Sequence, residues 1–177
     1  SEDEKVKRVV EKVKEESDRL NEELKRVVDE VRKELERLIE KIKRSVERMD
    51  RTVRELLKRI SDRKTLEEIR EEVERAKRRN EEVIERMRRT LEKLERDVRD
   101  VLRRDRETLE RLRKEVERDG ADDRVVEKLK KALDESRKTH KKLIDDLRRA
   151  LEELEKRVED LNRENERLLD EIKKRVD

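Results

Sequence analysis

The sequence predicts an all-α protein, an antiparallel up-down-up bundle of three helices. Three observations point there. Of 177 residues, 62% are charged and 29% hydrophobic, and a mixture this rich in Glu, Lys, Arg, Leu, Ile and Val belongs to long helices. Apolar residues recur with helical period along the whole chain, which a disordered polyelectrolyte would lack. The pattern breaks in only two places. Strands are disfavoured: Phe, Trp and Tyr are absent, and no useful run alternates apolar with polar.

The first helix is expected near residues 2–60, with Ser1 and Glu4 as a capping box. The first break is "ISDRKTLEEI", residues 60–69. After Leu56, Leu57 and Ile60 a continuing helix would want apolar residues near 63, 64 and 67, but the chain supplies Leu66, Ile69 and Val73. An unbroken helix would swing its apolar stripe by about 100° here. A turn at Ser61–Lys64 removes the conflict, and Thr65 with Glu68 reads as the capping box of a second helix near 66–118. The second break is "ERDGADDRVV", residues 117–126. Gly120, the only glycine, suits the left-handed residue after a helix end. Asp122 or Asp123 then caps a third helix near 123–176. Similar lengths and short connections favour one domain over residues 1–177. Each helix would be roughly 80 Å long at 1.5 Å per residue.

The apolar positions repeat every 18 residues. Val6, Leu24, Ile42 and Ile60 form one series; Val13, Val31 and Met49 a second; Leu20, Leu38 and Leu56 a third. The second helix carries Leu66, Ile84, Leu102 and Val73, Leu91, Leu109; the third carries Val125, Leu143, Leu161 and Leu133, Leu151, Leu169. A heptad reading fails, because steps of seven from Val13 reach Glu34 and Lys41. Eighteen residues in five turns match a straight helix, so little supercoiling is expected. The apolar residues of each helix occupy an arc of about 120° on a helical wheel, one buried face apiece. Pairs four apart, Glu22–Arg26, Glu40–Arg44, Glu92–Arg96 and Glu153–Arg157, are expected to decorate the outside. Met49 and Met87 read as core gap-fillers.

Composition excludes several classes. Fifty-six basic and 53 acidic residues alternate finely, leaving a net charge of +3 and no broad basic field for nucleic acid. Even "ERMRRT" (85–90) and "RKTHKK" (137–142) are diluted by nearby acids. No apolar run reaches membrane-spanning length, and no signal peptide is expected. Without Cys there are no disulfides or thiolate metal sites.

The 18-residue repeat, the "TLEE" cap, the "DGADD" loop, the absence of aromatics and the near-equal helices together resemble computationally designed, parametric helical bundles. The resemblance spans the whole chain. It implies a soluble, very stable structural protein with no natural biochemical function. Natural three-helix repeats similar to spectrin usually carry aromatics and irregular loops.

The inner arcs also carry polar residues. Asp105 stands where Met87 and Ile69 stand one and two repeats earlier. Ser17, Asn21 and Ser45 lie on the first inner face, Asn80 on the second, and Ser136, His140, Asn162 and Asn165 on the third, with Thr52, Thr90, Thr108 and Thr139 at the edges. Folding the chain at its two turns brings Asn21 level with Asp105, and Asp105 level with Ser136. Ser17, Thr108 and His140 lie within about one turn of that level. Ser45 falls level with Asn80, and Asn80 with Leu161 beside Asn162, Asn165 being a turn further on. Two buried hydrogen-bond networks are therefore expected, with Asp105 as the acceptor hub of the first. An unpaired buried polar group costs about 1–3 kcal/mol, so such groups belong together, where they also penalise a slipped register. Buried networks of this kind likewise resemble those of designed bundles.

Sharper chemistry is weakly supported. Ser17 or Ser136, His140 and Asp105 share the residue types of a hydrolase triad. A narrow three-helix core, however, is expected to offer neither a concave pocket nor an oxyanion hole. His140, the only His, is a poor candidate metal ligand without Cys or clustered carboxylates. A single buried His is a weak basis for a pH switch. The sequence thus predicts no catalytic residue, cofactor, metal, nucleic-acid or membrane partner. It predicts a monomer, with self-association or partner binding as the alternative.

Overall fold

The computed structural model describes residues 2–120 and 122–176. These form three helices, α1 (Glu2–Leu57), α2 (Arg63–Asp119) and α3 (Asp123–Val176), in an all-α three-helix bundle. Ser1, and with it the expected Ser1–Glu4 capping box, lies outside the described residues.

Both turns owe their geometry to local chemistry. α1 stops at Leu57, three residues short of expectation. Arg59 N donates to Leu56 O (3.1 Å) and Ile60 N to Leu57 O (3.2 Å), so i−3 bonds tighten the chain and take up carbonyls left at the helix end. α2 starts earlier than the Thr65–Glu68 box implies, because Asp62 is the cap. Its carboxylate accepts from Lys64 N (3.3 Å) and from the Thr65 hydroxyl (2.7 Å), and its carbonyl accepts from Leu66 N (3.1 Å). Aspartate is a stronger N-cap than threonine, and starting at Arg63 adds helical residues, so Thr65 serves the cap instead of being it. The Thr65 hydroxyl, followed by the Lys64 amide, holds the Asp62 carboxyl below its ordinary range. At the second turn Gly120 has φ +77°, and Asp122 caps α3 through its carbonyl to Val125 N (3.0 Å) and Val126 N (3.3 Å).

The chain forms two compact units, each with a segment of every helix. The first, Ser1–Val31 with Glu92–Arg149, has a core of Val13, Leu112, Val125, Leu129 and Leu133. Within it α1 and α3 run in the same direction: Glu16 meets Arg137 and Asn21 meets His140, partners 121 and 119 residues apart. The second, Arg32–Leu91 with Ala150–Asp177, has a core of Met49, Val53, Ile69, Val73, Ala76 and Ile172. There α2 and α3 are antiparallel: the separation falls from 103 residues at Glu72–Arg175 to 85 at Asn80–Asn165.

The repeat series sort by depth. Val13, Val31 and Met49 are all buried, whereas Leu20 and Leu56 in the flanking series are half-buried. Among the described residues no large hydrophobic side chain is exposed. Each buried Leu, Ile or Val contributes about 1.5–3 kcal/mol before conformational entropy is subtracted.

The surface ion pairs differ from expectation. None of the four anticipated Glu–Arg pairs forms among the described residues, and Glu40 turns to Lys43 (3.9 Å) rather than Arg44. The pairs within helices are mostly three apart, as in Glu34–Arg37, Asp100–Arg103 and Asp160–Arg163. Both spacings place side chains on neighbouring positions of the helix surface, and the difference in energy is a few tenths of a kcal/mol at most. One better-shielded pair joins two helices. Lys77 Nζ lies 2.6 Å from Asp50 Oδ1, each side chain 26% exposed. The hydrogen bond from Lys77 lowers the Asp50 carboxyl below its usual range against a smaller opposing effect of burial, and the same contact raises the Lys77 ammonium.

Two outcomes follow. Gly120→Ala should cost about 1–2 kcal/mol in urea denaturation, all of it backbone strain, because open space surrounds the site of the added Cβ. Asp50 contributes stability above the ordinary carboxyl value of 3.8, and this is lost as pH falls through its lower folded value. Asp50→Asn should therefore cost up to about 1 kcal/mol at neutral pH, and its deficit relative to the parent should shrink towards pH 2.

Candidate functional site

In the first unit Asp105, Ser136 and His140 meet in the interior. Ser136 and His140 lie on successive turns of α3, where a spacing of four stacks side chains on one face. The Ser136 hydroxyl donates to Asp105 Oδ2 at 2.8 Å, joining α3 to α2. His140 is 1% exposed. Its Nδ1 lies 2.8 Å from the Ser136 carbonyl and 3.3 Å from the Ser136 hydroxyl. Its Nε2 lies 3.0 Å from Asn21 Oδ1 on α1 and 3.4 Å from Asp105 Oδ2.

Donor chemistry fixes part of this arrangement. A carbonyl oxygen can only accept, so Nδ1 carries a proton and donates to Ser136 O. An imidazolium would also donate from Nε2 to Asn21 Oδ1 or Asp105 Oδ2. A neutral ring needs the Asn21 amide turned over, so that its nitrogen donates to Nε2. In either state Nδ1 cannot take the Ser136 proton. The hydroxyl is already given to Asp105, so the three residue types of a hydrolase triad are present without its relay.

Asp105 is an acceptor in this cluster, but His140 is the residue that reaches all three helices. Asn21 binds His140, not Asp105 as the matched levels suggested, because the imidazole fills the space between them. Ser17 and Thr108 make no hydrogen bond to the cluster among the described residues. They line a gap of about 220 Å³ beside Asp105 and Ser136, their side chains being too short to close it. Thr139 is exposed and bonds back to Glu135 O at 2.9 Å.

The second unit holds a tighter cluster. Asn80 and Asn165, 1% and 3% exposed, exchange two amide hydrogen bonds of 3.0 Å. The second proton of Asn80 Nδ2 goes to Ala76 O (2.7 Å), and that of Asn165 Nδ2 to Ser45 Oγ (3.3 Å). All four amide protons are used and all three helices are joined. Asn162, expected at this level, stays out. Leu161 takes the inner position, and Asn162 Oδ1 is left buried without a partner. Asn165, one turn further along and also expected in this network, is the residue that pairs with Asn80.

The structure also has concavity that a narrow core was not expected to offer. A cleft of about 800 Å³ opens in the first unit between α1 and α2, with Val10, Leu102, Leu109 and Leu129 on its floor and Ser17 and Asn21 at its edge. A second depression of about 860 Å³ in the other unit is lined by charged residues with Ser45 and Asn162, and by no Leu, Ile or Val. Among the described residues there is no cluster of three or more His, Asp or Glu fit to hold a metal, and no helix is long and apolar enough to cross a membrane.

No protein-family model, curated protein or solved structure matches this chain significantly.

The asparagine pair yields a sharp expectation. Asn165→Leu alone should cost about 1–3 kcal/mol in chemical denaturation, because it strands the Asn80 amide. Adding Asn80→Leu should recover most of that loss, since two apolar partners leave only the half-buried Ser45 hydroxyl without its donor.

Proposed function

We propose that this chain is a computationally designed structural scaffold with no natural biochemical function. It is a monomer that needs no substrate, cofactor or nucleic-acid partner. The observation that carries this reading is the division of labour on each helix. One regular inner face is apolar except at two polar levels, and no large apolar side chain remains exposed among the described residues. A natural binding or catalytic protein departs from regularity where it works. Here the departures, Asn80 with Asn165 and Ser136 with His140 and Asp105, are turned inward and bonded to one another.

The arrangement gives these groups a task suited to a scaffold. Buried polar partners that meet in only one register favour one helix alignment over its slipped alternatives. The competing reading, a self-associating or partner-binding module, would need a further apolar surface for association.

Light scattering of the purified chain should return a mass near 21.8 kDa across a wide concentration range. A mass two or three times larger would overturn the monomer. Thermal unfolding is expected above about 90 °C.

A further inference from the structure

We propose that the α1–α2 cleft of the first unit binds small amphiphilic carboxylates, of which a medium-chain fatty acid is the simplest. The inference concerns a binding property that the scaffold reading does not require. Its starting point is missing volume. Ser17 stands one repeat before Leu35 and two before Val53, both deeply buried, and Asn21 stands where Ile39 and Leu57 recur. Asp105 likewise replaces Met87 and Ile69, but it borders the separate gap of about 220 Å³ that Ser17 also lines. Short polar side chains at successive core positions leave space that the helices do not collapse to fill. On the facing stretch of α2, Leu102 and Leu109 are only half-buried. Ser17, 3% exposed, lines the cleft and has no hydrogen-bond partner among the described residues.

The rim supplies charge selection. Six basic and three acidic residues line the cleft, an excess of three positive charges in a chain whose total is also +3. Arg103 is engaged by Asp100 at 3.6 Å. Among the described residues Lys14, Arg106 and Arg113 form no ion pair, and they stand over the apolar floor. An alkyl chain would lie on Val10, Leu102, Leu109 and Leu129, with its carboxylate among these cations. The volume is in the usual range for small-molecule sites. The depression in the other unit carries the same charge excess but is lined by no Leu, Ile or Val. Charge alone would therefore favour neither site, whereas charge with grease selects the cleft.

Calorimetric titration with octanoate, decanoate and dodecanoate, all below their micellar concentrations, tests this, with helix content followed by circular dichroism. Affinity should rise about two- to fourfold per added methylene, reflecting partial to full burial of each. Dodecyltrimethylammonium should bind at least about tenfold more weakly than dodecanoate, since its headgroup is repelled by the same cations. Lys14→Glu with Arg106→Glu should weaken dodecanoate by about tenfold or more. Ser17→Leu, which adds bulk at the edge of the cleft and removes its unpartnered hydroxyl, should weaken binding while retaining the helices. Arg44→Glu with Arg48→Glu, in the other depression, should leave binding unchanged. Absence of binding, equal binding of the cationic amphiphile, or loss in the Arg44/Arg48 variant but not the Lys14/Arg106 variant would each overturn the proposal.

Discussion

A polar group taken out of water costs free energy unless it finds a partner inside the protein, and at both polar levels of this bundle such partners join one helix to another. This constraint organises the molecule. Apolar side chains are forgiving about what they touch, so repeated Leu, Ile and Val faces would tolerate a shift of one helix past another at modest cost. The amide pair of Asn80 and Asn165 tolerates no such shift. Moving α3 by a turn separates groups that meet at 3.0 Å and leaves three amide protons without their acceptors; only the proton that Asn80 gives to Ala76 O, on its own helix, keeps its partner. The core supplies most of the stabilisation, and the polar levels select which alignment receives it.

The two polar levels solve the problem with different completeness. Two asparagines and a serine close on themselves, with Ala76 contributing both a carbonyl and a small side chain, although Asn162 beside them keeps a buried oxygen without a partner. The cluster of Asp105, Ser136 and His140 is satisfied at its centre but surrounded by short residues. Ser17 and Thr108 face open space there. Specificity and packing compete at this level. A carboxylate, a hydroxyl and an imidazole together occupy less room than the apolar side chains that stand at the equivalent repeats, and the gap of about 220 Å³ beside Asp105 and Ser136 lies at this level.

Much of this was legible in the sequence because it depends on periodicity and turn chemistry. The 18-residue spacing marks the inner faces, and the phase slip near Ser61 and the single glycine locate both turns. Matching heights about those turns brings Asp105 to Ser136, and Asn80 to within a turn of its true partner. The rest depends on smaller differences. Asn165 and Asn162 are three residues apart on one helix, and only the rotation of α3 decides which faces Asn80. Asp62 and Thr65 are both competent caps, and a few tenths of a kcal/mol choose between them. Whether Glu40 reaches Lys43 or Arg44 depends on rotamers of long exposed side chains. The cleft is a volume deficit across two helices, invisible to any pattern read along one of them. The signal that could have exposed it was the replacement of Leu35 and Val53 by Ser17 at the repeat-equivalent position.

Hydrogen exchange of the asparagine side chains is the most direct examination of this account. The Nδ2 protons of Asn80 and Asn165 can be followed individually by NMR. If interior amides lock the helices, these four protons exchange only on the timescale of global unfolding and show through-space contacts to the facing helix. Exchange at the rate of a free asparagine amide would mean that the two side chains do not hold one another, and the account would be wrong at its centre.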